Sequence, residues 1–158
     1  MQKRPMTSLR SGIVLLSAFF CLSTACSKND DDNNPPATNA NFAASLSGSQ
    51  ETPPNAETGT GTLTATYDAN SNKLSYTLTW TGLTGAPTAM HFHKGQVGEP
   101  GDVEIPIAGF TAAAAGTLTA TATVDEDEEE DLMEGHFYVN IHTANYQAGE
   151  IRGQVLKQ

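Results

Sequence analysis

From about residue 41 onward, apolar and polar side chains alternate with a period of two. The cleanest run is residues 73–80, where Leu74, Tyr76, Leu78 and Trp80 share one face and Ser75, Thr77 and Thr79 the other. Successive side chains of a strand point to opposite faces, so this run predicts a half-buried strand. Residues 60–67 alternate in the same way, and the turn-forming cluster 68–72 between the two runs predicts a hairpin. Further short strands are expected near residues 42–47, 89–93, 103–107, 117–124, 136–142 and 150–156, separated by Gly and Pro. The fold class predicted is all-β, an antiparallel β-sandwich or barrel, interrupted by one short helix. That helix is expected after Asp125, with Glu128 three residues on as in a capping box and Gly135 as its stop. Read instead as a calcium loop, the acidic block lacks the alternating ligand spacing and mid-loop glycine such loops use. The stretch Gly61-Thr62-Leu63-Thr64-Ala65-Thr66 recurs at residues 116–121, either as an internal echo or as the ordinary likeness of threonine-rich strands.

Ahead of the alternating region the pattern is different. Lys3, Arg4 and Arg10 precede an apolar stretch over residues 13–22. A bilayer-spanning helix needs about 20 apolar residues, so this stretch is too short and reads as a signal sequence. It ends in Leu22-Ser23-Thr24-Ala25-Cys26. That ending resembles the lipobox of bacterial lipoproteins, with Ser23 where an aliphatic residue is usual. The resemblance implies cleavage after residue 25 and lipidation of Cys26; a plain secretory signal is the alternative. Residues 26–41 are Asn, Asp, Pro, Ala and Thr with almost nothing apolar, which predicts a disordered acidic tether. Its Ser27-Lys28-Asn29-Asp30-Asp31-Asp32 run resembles the acidic export signal of surface-displayed lipoproteins, and a solvated linker would look similar. The organisation expected is a signal peptide over 1–25, a tether over 26–41 and a folded domain over 42–158. The location expected is the outer membrane, on the cell surface or the periplasmic face.

Charge narrows the partners. Of 8 basic residues, Lys3, Arg4 and Arg10 leave with the signal, so 5 face 18 acidic ones, a net charge of −13. Such a surface repels phosphate backbones, which excludes nucleic acid, and it repels anionic head groups. Membrane association must then come from the lipid anchor, leaving an extracellular or periplasmic protein or ligand as the domain's partner. Cys21 and Cys26 are the only cysteines. The folded domain therefore has no disulfide, thiolate metal site or cysteine nucleophile, and its stability must come from a packed core.

Several stretches, taken in order, are similar to the chordin-domain (CHRD) family. They are Leu46-Ser47-Gly48-Ser49-Gln50-Glu51-Thr52-Pro53-Pro54, then His91-Phe92-His93-Lys94-Gly95 with Gly98-Glu99-Pro100-Gly101. Tyr138-Val139-Asn140-Ile141-His142-Thr143 and Gly149-Glu150-Ile151-Arg152-Gly153-Gln154 close the set. Together they cover about residues 42–157. The resemblance implies a β-sandwich and carries no reaction with it.

Strand parity adds the chemistry. Met90 and Phe92 take the apolar face, so His91 and His93 share the polar one. Phe137, Val139 and Ile141 send Tyr138, Asn140 and His142 outward, and Ile151 and Val155 do the same for Glu150, Arg152 and Gln154. If these strands are neighbours, one polar patch holds His91, His93, Asn140, His142, Glu150 and Arg152 on the outer surface, with Glu51 at a nearby strand end. Two readings stand. In one, the patch is a hydrogen-bonded cluster tying strands together in a binding or structural module without a cofactor. In the other, His91, His93 and His142, completed by Glu150 or water, bind copper or zinc, for which imidazole and carboxylate are suitable ligands. The run from Leu78 through Gly82-Leu83 to His91-Phe92-His93 is also similar to copper-zinc superoxide dismutase, so the sandwich expected is dismutase-like or immunoglobulin-like. A four-histidine copper site fails, however. The chain has 4 histidines, and His136 stands about 20 Å from His142 along an extended strand. There is no Gly-x-Ser-x-Gly and no His-Glu-x-x-His, so no catalytic residue is assigned.

Overall fold

The computed structural model describes residues 39–158. The expected signal sequence, Cys26 and the expected tether up to residue 38 lie outside the described residues. Strands β1 (Ala40–Ser47), β2 (Thr60–Asp68), β3 (Lys73–Thr81), β4 (Pro87–Lys94), β5 (Val103–Pro106), β6 (Gly116–Thr123), β7 (Phe137–Thr143), β8 (Ile151–Gln154) and β9 (Leu156–Lys157) form one antiparallel sheet. The strand order is β5-β4-β7-β8-β1-β2-β3-β6, with β9 on β1, and the sheet curls into a nearly closed barrel. The last strand, expected as one run, is two pieces: Val155 leaves the ladder between β8 and β9 and its N–H goes to the Phe137 carbonyl at 2.8 Å.

Inward positions fill the interior with Phe42, Leu63, Leu74, Leu78, Trp80, Phe92, Val139 and Ile151, each at most 2% exposed. Trp80 closes the β3 stripe and donates its indole N–H to the Ala113 carbonyl at 2.9 Å. The hairpin of β2 and β3 pairs in continuous register from Thr60↔Thr81 to Asp68↔Lys73. The repeated hexapeptide has a structural counterpart. Its two copies flank β3 in the same register, Gly61 and Gly116 both opposite Trp80, and Thr64 and Thr119 both opposite Thr77.

Helix α1 (Glu126–Glu134) lies where the caps predict it. The Asp125 N–H donates to Glu128 Oε2 at 3.1 Å, and the chain leaves the helix through Gly135 in the left-handed region. Carboxylates crowd its first turn, where the helix dipole favours them, and Leu132 anchors it to the core.

The two halves of the wall are finished differently. On β2 the outward residues Thr60, Thr62, Thr64 and Thr66 are exposed. On β7 and β8 the outward residues Tyr138, Asn140, Arg152 and Gln154 are buried. Here the structure corrects the expectation of an open polar surface. The segment after β1, the 95–102 loop and the 144–150 loop fold over this half of the barrel. A short 3-10 turn (Gly48–Gln50) begins the first of these segments.

Candidate functional site

β4 and β7 pair with His91 opposite Asn140, His93 opposite Tyr138 and Ala89 opposite His142. That register brings three imidazoles together. Ring centroids are 5.4 Å apart for His91 and His93, 5.0 Å for His91 and His142, and 6.0 Å for His93 and His142. One nitrogen from each ring lies within 4.8 Å of the others. His93 is buried, and His91 and His142 are half-buried.

The hydrogen bonds set the tautomers. A carbonyl oxygen can only accept, so His93 Nδ1, 3.1 Å from the Gly101 carbonyl, carries the proton and leaves Nε2 as a bare lone pair. The same logic applies to His142, whose Nδ1–H donates to the Gln147 carbonyl at 3.0 Å. His142 Nε2 then accepts from His91 Nδ1 at 3.2 Å. His93 Nε2 is buried and has no hydrogen-bond partner among the described residues. Metal-binding histidines are usually held in this way, one ring N–H on a carbonyl and the other nitrogen free to donate its lone pair. Two nitrogens bound tetrahedrally at 2.0–2.1 Å would stand about 3.3 Å apart. The His91–His142 edge, at 3.2 Å, is near that separation once His91 carries its proton on Nε2, and the widest edge of the group, at most 4.8 Å, has to close by at most about 1.5 Å.

Burial pushes the pKa of all three histidines below the ordinary imidazole value. For His93 and His142 the carbonyl hydrogen bonds oppose that shift, while the neighbouring rings, and Arg152 in the case of His93, add to it. The group is therefore neutral at neutral pH, the form that donates lone pairs.

Behind His93 stands a stack that motif reading did not single out. The Tyr138 ring lies parallel to His93 at 4.8 Å, and the Arg152 guanidinium sits 3.4 Å from the centre of the Tyr138 ring. Arg152 donates to the carbonyls of Glu99 at 2.6 Å and Gln96 at 2.8 Å, so it also clamps the 95–102 loop. The Gly101 N–H donates to the Tyr138 hydroxyl at 3.0 Å. A Cβ on Gly101 would overlap the Lys94 carbonyl oxygen, so only glycine brings this loop, and the carbonyl that orients His93, close enough. Parity had placed Tyr138 on the right face, but its part depends on a loop whose path the alternation does not encode.

Two expected members of the patch do something else. Glu150 does not complete the histidine group. It precedes β8, stands outside the regular ladder and so escapes the parity that placed it outward. Its carboxylate accepts from Thr84 N at 2.6 Å, Thr84 Oγ1 at 2.7 Å and Thr143 Oγ1 at 2.6 Å, joining the β3–β4 connection to the end of β7. Arg152 acts on the loop and on Tyr138 and not on the imidazoles directly. His136 lies apart, with Nδ1 3.3 Å from Asp131, a carboxylate that also pairs with Lys94. Asn140 and Glu51 are both buried, and each has one side-chain oxygen with no partner among the described residues.

The family model of the CHRD domain matches residues 42–155. No curated protein and no solved structure matches the chain.

Proposed function

The chain belongs to the CHRD-domain family, and on that premise we propose that its barrel is a binding module that takes a transition-metal ion at His91, His93 and His142. Membership supports a structural or binding module and brings no reaction with it. The observation that carries the metal reading is the buried, partnerless Nε2 of His93. Its ring is already fixed by Gly101, and it lies beside two further imidazole nitrogens in reach of one ion. A hydrogen-bonded cluster serving only to tie strands together would leave no such atom, because an unsatisfied buried acceptor costs about 1–3 kcal/mol. Three neutral nitrogen donors suit copper or zinc, and divalent copper should bind the more tightly of the two. Three ligands leave a coordination position for water or a further ligand.

Titration of the purified protein with Zn(II) and Cu(II) tests this. One equivalent should bind, and the His93→Ala, His142→Ala double variant should lose at least about 100-fold in affinity, more than the 10–100-fold typical of second-shell changes. Absence of stoichiometric binding in the wild type would return the site to a purely structural role.

We propose further that Cys26 is lipidated and holds the domain at the outer membrane through the tether. The lipobox-like Leu22-Ser23-Thr24-Ala25-Cys26 and the acidic run behind it support this. Cys26→Ala should release the protein from the membrane fraction or block its processing; a cleaved variant still in that fraction would remove the anchor.

A further inference from the structure

Glu51 and Asn140 meet beneath the segment that follows β1. Both are at least nine-tenths buried, and Glu51 Oε1 and Asn140 Oδ1 are both without a hydrogen-bond partner. Each lies 2.5 Å from the point where a Cβ would stand on Gly149, so the two oxygens are within about 5 Å of one another. Gly149 has φ 134°, and its missing side chain is what lets them approach. One Nδ2–H of Asn140 donates to the Ala148 carbonyl at 3.3 Å, a bond that a flipped amide, with Oδ1 in that place, would lose. Both orphaned oxygens thus border one point beside Gly149, with Asn140 Nδ2 2.6 Å from it.

Among the described residues Glu51 has no salt-bridge partner. The charged or titratable groups lining the clefts beside it are Arg152 from β8 and Tyr146 from the 144–150 loop. Arg152 donates to Thr52 Oγ1, Gln154 Oε1 and the carbonyls of Gln96 and Glu99, all neutral acceptors, and the Tyr146 hydroxyl donates to Glu57. Among the described residues no ion pair joins Arg152 to Glu51. One proton would satisfy both orphaned oxygens at once.

We infer that Glu51 is held as the neutral carboxylic acid and that its Oε1–H donates to Asn140 Oδ1, making Glu51 a positioning residue for the loop that orients His142. The latch joins the segment after β1 to the 144–150 loop through Asn140 and the Ala148 carbonyl. The neighbouring Gln147 carbonyl is the one that holds His142 Nδ1–H. Burial raises the Glu51 pKa from 4.5 to about 7, against the opposing pull of the Thr52 N–H and of Arg152. The latch stands on the two orphaned oxygens alone; only its effect on metal affinity rests on the proposed metal site.

The sign of the pH dependence follows. A carboxyl whose folded pKa is raised keeps its proton longer in the folded state than in the unfolded one, so its stabilising contribution is lost as pH rises from 4.5 through about 7. The lowered histidines act in the opposite direction, since their stability is lost as pH falls below 6.5. Glu51→Gln keeps the shape, donates to Asn140 at every pH and leaves the histidine contribution unchanged. Difference melts of Glu51→Gln against wild type, without metal, should show equal midpoints near pH 4.5 and a higher midpoint for the variant at about pH 8. Infrared spectra of the wild type near neutral pH should contain a protonated-carboxyl carbonyl band that is absent in Glu51→Gln and shifted in Asn140→Ala. A missing band would mean an ionised Glu51 bridged to Asn140 by water, and would overturn the latch. So would a band indifferent to Asn140→Ala, or a Glu51→Gln variant less stable than wild type at about pH 8. These readouts need no metal, so they fail or succeed separately from the Zn(II) and Cu(II) titration. If both readings hold, Glu51→Gln should retain its metal affinity at about pH 8 while wild-type affinity falls off as the latch opens.

Discussion

On β2, β3 and β6 the outward positions are threonine and serine facing solvent, whereas on β4, β7 and β8 they are histidine, tyrosine, asparagine, arginine and glutamine, most of them under loops. The backbone is the same antiparallel ladder in both regions, and so is the apolar interior. What differs is the cover. Threonine hydroxyls left in water pair with one another or with solvent at no cost, as Thr77 and Thr119 do across β3 and β6 at 3.0 Å. Polar groups taken out of water must find partners, and most on the covered half do. Among the described residues three buried side-chain atoms do not, and all three, on Glu51, His93 and Asn140, lie on that half. Buried polar atoms are nearly always satisfied, and these orphans are the observations on which the proposed metal site and the proposed latch rest.

Three substitutions separate shared architecture from specialised cover, each read by denaturant melts. Trp80→Ala removes the largest fully buried side chain from the interior that both halves share, and should cost about 3–5 kcal/mol. A loss below about 1 kcal/mol would mean that the core does not depend on the threonine half. Thr143→Val, on the covered half, keeps the shape but deletes the hydroxyl that donates to the buried Glu150 carboxylate at 2.6 Å. Leaving a buried acceptor without its donor costs about 1–3 kcal/mol, and a loss in that range is expected. Thr119→Val makes the same chemical change on the exposed half and should stay within about 0.5 kcal/mol of wild type. Equal effects of the two threonine changes would erase the distinction between the halves.

Much of this was legible in the sequence, because strands and helix ends are governed by local rules. The alternation of Leu74, Tyr76, Leu78 and Trp80 could only be a half-buried strand, and Asp125, Glu128 and Gly135 bracket the helix with caps that act within a few residues. Parity also put His91, His93 and His142 on a common side, since side-chain direction along a strand has period two. Parity failed at Glu150, where the residue stands just outside the strand that was meant to carry the rule.

The amino-acid sequence by itself determined the strands, the inward stripe, the helix and the direction in which each histidine leaves its strand, all of which depend on neighbours a few residues away. Tertiary structure alone decided that β4 and β7 pair so that His91 meets Asn140 and the imidazoles converge. It likewise decided that Gly101 and Gln147 carbonyls orient two of the rings, that Tyr138 lies between His93 and Arg152, and that Glu51 and Asn140 come together beside Gly149. Those contacts join residues up to about a hundred positions apart through loops without periodicity. Their partners are fixed by the closing of the barrel and the burial of its outer face, and no local pattern records either.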